Sequence, residues 1–140
     1  MKDYFGKDYL RLKNKKLWLF DMDGTIYLGN RIFDGTLDIL ANIKDNRSRY
    51  VFITNNSSKG IDAYLRKVGK MGIPAEERDF YTSVDASVSI LKEKFGNGLI
   101  YAQGTESFVE NLKTGGLNVT KDYDENAKCV IVGFDMELTM

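Results

Sequence analysis

The chain has 140 residues, of which 43% are hydrophobic and 29% charged, and its 20 basic side chains balance its 20 acidic ones. One domain's worth of residues with no net charge favours a soluble globular protein and gives no reason to expect a nucleic-acid or membrane partner. The absence of histidine excludes imidazole catalysis and histidine-based zinc sites, and the single cysteine, Cys129, excludes an internal disulfide.

Cys129 begins the apolar run 129–132, so we expect it to be a buried small hydrophobe rather than a reactive thiol. A lone cysteine makes a reducing compartment the default. No apolar run approaches the length of a membrane span, and the charged stretch 1–16 lacks the apolar core of a signal peptide. We therefore expect a cytoplasmic protein without a membrane partner.

The first half of the chain alternates between strand and helix patterns. The continuous apolar run at 17–20 predicts a strand buried on both faces, and helical spacing of apolar residues predicts a helix over about 35–46. A second buried strand is predicted at 50–53. An i, i+3, i+4, i+7 stripe then predicts a helix over about 61–71, with Ser58 as its N-cap.

The second half of the chain continues this alternation. A short strand is predicted at 80–82, followed by an amphipathic helix over about 84–95 and a strand at 99–102. A helix around 108–112 and a last strand at 129–134 complete the pattern. This order of elements predicts an α/β fold with a largely parallel sheet.

Two aspartates follow the first predicted strand. Residues i and i+2 of an extended backbone point to the same side, so Asp21 and Asp23 can present two carboxylates at the carboxyl end of the strand, where ligands bind in open parallel sheets. Gly24 permits a sharp turn there, and paired carboxylates suit Mg²⁺, a hard cation. An Asx-turn that merely ends the strand is the structural alternative. A calcium loop is disfavoured because Thr25 and Tyr27 replace its acidic ligands.

A polar segment, Thr54 to Ser58, follows the second buried strand. Parallel neighbours place their carboxyl ends at one edge, so Thr54 and Asn55 could lie beside Asp21. A hydroxyl, an amide and the free N–H groups of the next helix would form a neutral anion site. An ordinary capped helix start is the structural alternative. A P-loop is excluded, because Lys59-Gly60 reverses its order.

Together the two features fit phosphoryl transfer without histidine or cysteine. Asp21 would attack phosphorus as a covalent nucleophile, and Asp23 would protonate the leaving oxygen and later activate water. Mg²⁺ would offset the repulsion between Asp21 and the phosphate. Thr54 and Asn55 would hold the equatorial phosphate oxygens.

These residues resemble the signature of the haloacid dehalogenase superfamily. Segment 20–27 resembles its first motif and segment 51–59 its second. Segment 33–36 resembles the type IIA branch, whose cap follows the second motif and which includes 4-nitrophenylphosphatase-like and phosphoglycolate phosphatases. Residues 80–83 resemble the hinge into that cap, and 130–135 resemble a strand within it.

The resemblance implies a Rossmann-like three-layer core with a parallel sheet in residues 1–82 and the start of an α/β type II cap in 83–140. It implies Mg²⁺ as the cofactor, held at Asp21 and Asp23, with the main-chain carbonyl of Asp23 as one ligand. The substrate would be a small phosphorylated metabolite, and the family analogy favours a homo-oligomer. The phosphate-binding residues would be Met22, Gly24, Thr54, Asn55 and Asn56.

The sequence departs from the family's pattern in one respect. Complete members carry a third-motif lysine and a fourth motif of acidic metal ligands after the cap, and neither is found before Met140. Lys59 lies too near the second motif to take the lysine's role. We therefore expect an amino-terminal half with a weakened metal site, an unpaired sheet edge and little turnover on its own.

The leading hypothesis is a Mg²⁺-dependent phosphatase of small phosphorylated metabolites that acts through an aspartyl-phosphate. The alternative is a truncated, non-catalytic relative that binds phosphate or a partner. An incomplete gene model or an expressed fragment without a biological role of its own is a third hypothesis. The sequence does not identify the substrate, because the cap selects it in this family.

Overall fold

The computed structural model describes residues 2, 5–7, 10–12, 14–56 and 60–135. In chain order its strands and helices are β1 (Leu17–Asp21), β2 (Tyr27–Leu28), β3 (Arg31–Ile32), α1 (Thr36–Asp45), β4 (Arg49–Thr54), α2 (Ile61–Lys70), β5 (Phe80–Thr82), α3 (Ser83–Phe95), β6 (Ile100–Gln103), α4 (Glu106–Thr114), β7 (Val119–Thr120) and β8 (Cys129–Val132). Among these residues, no helix combines the length and the apolarity that a membrane crossing requires.

Strands β1, β4 and β5 form a parallel sheet in which β4 is central. The strand register pairs Asp21 with Ile53 and Thr54 with Thr82. All three strands therefore end at the same edge of the sheet, and the predicted α/β fold with parallel strands is confirmed. The outer edge of β1 pairs with no strand in the described part of the chain, as expected.

The core of this first unit is built around Phe52 on the central strand, which is fully buried. Its ring lies 5.1 Å from that of Tyr50 and 5.4 Å from that of Phe80, in tilted arrangements that favour aromatic packing. Helix α2 contributes Tyr64 and Val68, which are spaced four residues apart and so lie on one helix face. The sheet and this helix thus hold each other through apolar burial.

Strands β7, β6 and β8 form a second parallel sheet with its own core. Helices α3 and α4 cover one face of it, and the buried residues of this core are Val84, Ile100, Ala102, Phe108, Val109, Leu112 and Leu117. Helix α3 begins directly after β5, where Thr82 and Asp85 form a capping box. The sequence order alone did not separate the two sheets. The domain boundary at residue 83 stays a prediction.

A short antiparallel hairpin, β2 and β3, was not predicted. It follows directly from the turn after Asp23, and Asp23 itself forms an isolated bridge with Tyr27. The two residues between the strands, Gly29 and Asn30, are of the type that close two-residue hairpins. The hairpin therefore sits beside the carboxyl edge of the first sheet.

The predicted buried thiol is only half-buried in the structure. Cys129 packs beside Ile131 against the second core, and burial raises the pKa of its thiol. A raised pKa leaves less thiolate at a given pH, so we expect iodoacetamide at pH 8 to alkylate the folded chain severalfold more slowly than the urea-unfolded chain. The comparison is made by mass spectrometry. Equal rates in both states would contradict this expectation.

Candidate active site

Asp21 is the last residue of β1 and lies at the carboxyl edge of the first sheet. Its side chain is exposed, and the Thr25 hydroxyl donates a 3.4 Å hydrogen bond to Oδ2. This bond leaves Oδ1 without a donor among the described residues. The carboxylate is therefore held in place on one side and open on the other.

A tight turn directs the chain away from the strand after Asp21. The Met22 carbonyl accepts hydrogen bonds from the backbone N–H groups of Thr25 and Ile26, at 3.2 and 3.0 Å. Gly24 has φ +80°, a conformation that L side chains rarely adopt, so glycine is required here by backbone geometry. The Met22 side chain is buried in the core, so only its backbone can face a ligand.

Asp23 opens into a cleft of about 630 Å³ that Asn56 and Tyr64 also line. Its side chain is 64% exposed, and the Lys67 ammonium lies 3.7 Å from Oδ1. The separation is that of an ion pair rather than a direct hydrogen bond. The cleft therefore joins a carboxylate from the first predicted motif to a loop residue from the second.

Thr54 is buried at the end of β4, and its hydroxyl is engaged within the protein. It lies 3.4 Å from the Tyr64 hydroxyl and accepts a 3.3 Å hydrogen bond from the Asn56 backbone N–H. The Tyr64 hydroxyl also donates to the Asn56 carbonyl at 3.2 Å. Tyr64 thus ties the loop after β4 to helix α2.

The two predicted halves of the site are neighbours but are not joined by hydrogen bonds. Asp21 pairs with Ile53, so side-chain alternation puts Asp21 and Thr54 on opposite faces of the sheet edge. Within the described segments, neither Thr54 nor Asn55 bonds to an aspartate through its side chain. The Asn55 carbonyl accepts instead from the Ser83 hydroxyl at 3.1 Å. A single phosphate cradle from these side chains stays a prediction, and Ser57 to Lys59 lie outside the described residues.

Burial and the nearby aspartates raise the pKa values of two tyrosines at this edge of the sheet. Burial, reinforced by Asp23, Tyr64 and Asp21, raises the pKa of Tyr27 to about 12. Burial also raises the pKa of Tyr64, partly opposed by its hydrogen bond with Thr54 and aided by Asp23. Both phenols are therefore neutral at physiological pH.

Lys67 and Tyr64 are the site residues that sequence reasoning missed. Tyr64 was predicted only as part of the apolar stripe of α2, and Lys67 was not singled out. The detectable signal was their spacing, because a residue three positions after a buried tyrosine lies on the same side of a helix. Their partners are distant in sequence, so the spacing alone did not reveal the contacts.

The oxygen atoms at the sheet edge provide some, but not all, of the ligands that a hard divalent cation needs. The free oxygen of Asp21 and the main-chain carbonyl of Asp23, which no described donor reaches, are hard ligands of the kind Mg²⁺ prefers. Across the described ranges, however, no group of three or more acidic, cysteine or histidine side chains gathers at one point. Among the described residues, the acidic side chains considered at this edge are therefore Asp21 and Asp23.

A family model described as haloacid dehalogenase-like hydrolase matches residues 18–118. The acid sugar phosphatase of Staphylococcus saprophyticus is 33% identical over 128 residues, which are 91% of this chain and 49% of that protein. The chain spans about half the length of the curated relatives it matches.

The chain is also similar to solved structures of phosphatases. The 4-nitrophenylphosphatase of Thermotoga maritima superposes with a TM-score of 0.81 at 34% identity, covering 91% of this chain and 48% of that one. A glycerol phosphate phosphatase of Mycobacterium tuberculosis, solved in complex with magnesium, has a TM-score of 0.77 at 26% identity and covers 88% and 37% of the two chains.

Proposed function

The chain belongs to the haloacid dehalogenase-like hydrolases, and from this membership we propose that it carries the nucleophile-bearing part of a Mg²⁺-dependent phosphatase of small phosphorylated metabolites. The observation that supports the proposal most is the position of Asp21. It ends β1, an edge strand of the described parallel sheet, with one carboxylate oxygen held by Thr25 and the other open, beside a cleft that contains Asp23.

The proposed chemistry uses the two aspartates in sequence. Asp21 attacks phosphorus, the bond between phosphorus and the leaving oxygen breaks, and Asp23 gives that oxygen its proton. Asp23 then takes a proton from water, the hydroxyl attacks the aspartyl-phosphate, and inorganic phosphate leaves with Asp21 regenerated. The exposure of Asp23 permits both proton exchanges.

The phosphate would be held by the backbone and polar groups around the aspartates. We assign this role to the backbone of Met22 and Gly24 and to the loop residues Thr54, Asn55 and Asn56. Thr54 would have to exchange its contact with Tyr64 for one with the phosphate. The strand register, which brings the end of β4 next to Asp21, supports the assignment.

Mg²⁺ would be held by the Asp21 carboxylate and by Asp23. When bound, it would supply positive charge that offsets the repulsion between Asp21 and the phosphate. Because the described residues offer only two acidic groups, we expect the metal to bind weakly and the 140-residue chain to turn over slowly.

The same shortage of acidic groups favours a second candidate function. A chain that retains the phosphate loop but lacks a strong metal site could bind phosphorylated ligands or a partner without turning them over. Three further expectations stay predictions: that the protein is cytoplasmic, that it has no nucleic-acid or membrane partner, and that it forms a homo-oligomer.

Release of 4-nitrophenol from 4-nitrophenyl phosphate tests the proposal. We expect slow release that requires Mg²⁺ and stops on addition of EDTA. Calorimetric titration with inorganic phosphate is run beside it. Phosphate binding without any release would favour the second candidate, whereas neither binding nor release would contradict both.

A further inference from the structure

Lys67 lies at the candidate site although it belongs to no predicted motif. Its ammonium is 3.7 Å from Asp23 Oδ1 and 3.8 Å from the centroid of the Tyr27 ring. The two contacts are of different kinds, one with a carboxylate and one with an aromatic face. Together they fix the ammonium at one point beside Asp23.

The Tyr27 ring that Lys67 contacts is held in place by the core. Tyr27 is fully buried, and no described residue bonds to its hydroxyl. The Lys67 side chain is itself only 28% exposed, because it follows the helix face on which Tyr64 and Val68 are buried. Its charge is therefore partly shielded from solvent, so removing it would change the electrostatic potential at Asp23.

Other cations in the cleft do not share this position. Arg66 and Lys70 line the same cleft from the same helix, but both are exposed and neither makes an ion pair with a described residue. Lys67 thus differs from the other cations of the cleft by its contacts with Asp23 and with the Tyr27 ring. Lys70 provides a control with the same charge and the same chain length.

From this geometry we infer that Lys67 is a positioning residue that holds the Asp23 carboxylate and keeps it from binding the metal. The inference rests on the proposed function, in which a divalent cation binds at Asp21 and Asp23. An ammonium already held beside Asp23 opposes a second cation there. The metal then depends on Asp21 and on the Asp23 main chain.

Titration with Mn²⁺, which takes the same oxygen ligands as Mg²⁺, tests the inference through the free-Mn²⁺ signal in electron paramagnetic resonance. We expect Lys67→Met to tighten Mn²⁺ binding about fivefold, the effect of removing one partly exposed charge. Lys67→Arg, which keeps the charge, and Lys70→Met, which removes a charge elsewhere in the cleft, should bind Mn²⁺ as the unchanged chain does.

A second substitution separates positioning from a merely structural role. Lys67→Met should tighten Mn²⁺ binding only where the Asp23 carboxylate is present, so adding Lys67→Met to an Asp23→Asn chain should give no gain over Asp23→Asn alone. Loss of structure would weaken binding and could not produce this pattern.

Equal affinity in the unchanged chain and in Lys67→Met would overturn the inference while leaving the proposed function intact. A gain in Lys70→Met as large as that in Lys67→Met would also overturn it. Absence of Mn²⁺ binding in every variant would instead overturn the proposed metal site and, with it, the inference.

Discussion

Replacement of Asp21 by asparagine should abolish formation of the covalent phospho-enzyme. An amide cannot form an acyl phosphate, so the nucleophilic step has no substitute. We expect a loss on the order of 10³-fold or more, equivalent to about 4 kcal/mol of transition-state stabilisation. The measurement follows transfer of labelled phosphate from acetyl phosphate in the presence of Mg²⁺, which does not require multiple turnovers.

The label should be released by hydroxylamine, as an acyl phosphate is. Asp45→Asn, the same substitution at an exposed position on the last turn of α1, serves as the matched control and should retain labelling. Hydroxylamine-sensitive label that survives in Asp21→Asn would mean that another residue is the nucleophile.

Phe52→Ala should remove a large part of the folding free energy. Phe52 lies on the central strand of the first sheet, fully buried between the rings of Tyr50 and Phe80. Truncating such a ring leaves a cavity and loses apolar burial, which typically costs about 3–5 kcal/mol. A domain has roughly 5–15 kcal/mol of stability in total, so urea denaturation should begin at much lower concentration.

The control for this substitution is Leu19→Ala on the neighbouring strand. Leu19 is 59% exposed, so its truncation should cost little. Phe52→Leu should fall between the two, because it keeps most of the buried volume. A midpoint for Phe52→Ala no lower than that for Leu19→Ala would show that the core does not depend on this ring.

Sequence patterns predicted the regular elements of the fold well and their assembly less well. Continuous apolar runs identified the strand that contains Phe52, and the stripe containing Tyr64 identified α2. The hairpin beside Asp23 was missed because each of its strands has only two residues, too few for a pattern to register. Strand order along the chain does not say which strands pair, so only the family resemblance gave reason to expect two separate units.

The candidate site was predicted from the residues that follow two neighbouring strands, and the structure adds contacts that the prediction did not include. The register confirms that Asp21 ends a strand next to the strand of Thr54. The prediction that this strand is buried on both faces is wrong, because Leu17 and Leu19 lie on an exposed face at the edge of the sheet. The hydroxyl of Thr54 instead contacts Tyr64, and Asp23 is paired with Lys67. Such pairings depend on how α2 docks on the sheet, and no local spacing in the sequence encodes that geometry.

Binding of beryllofluoride, which mimics a phosphoryl group on a carboxylate, tests most directly whether the two segments converge on one phosphate. The chain is titrated with beryllofluoride and Mg²⁺ and followed by fluorine and amide nuclear magnetic resonance. We predict a bound fluorine signal that Asp21→Asn abolishes, together with shifts of the amides of both 21–25 and 54–56. A bound signal that persists in Asp21→Asn, or shifts confined to only one of the two segments, would contradict the account.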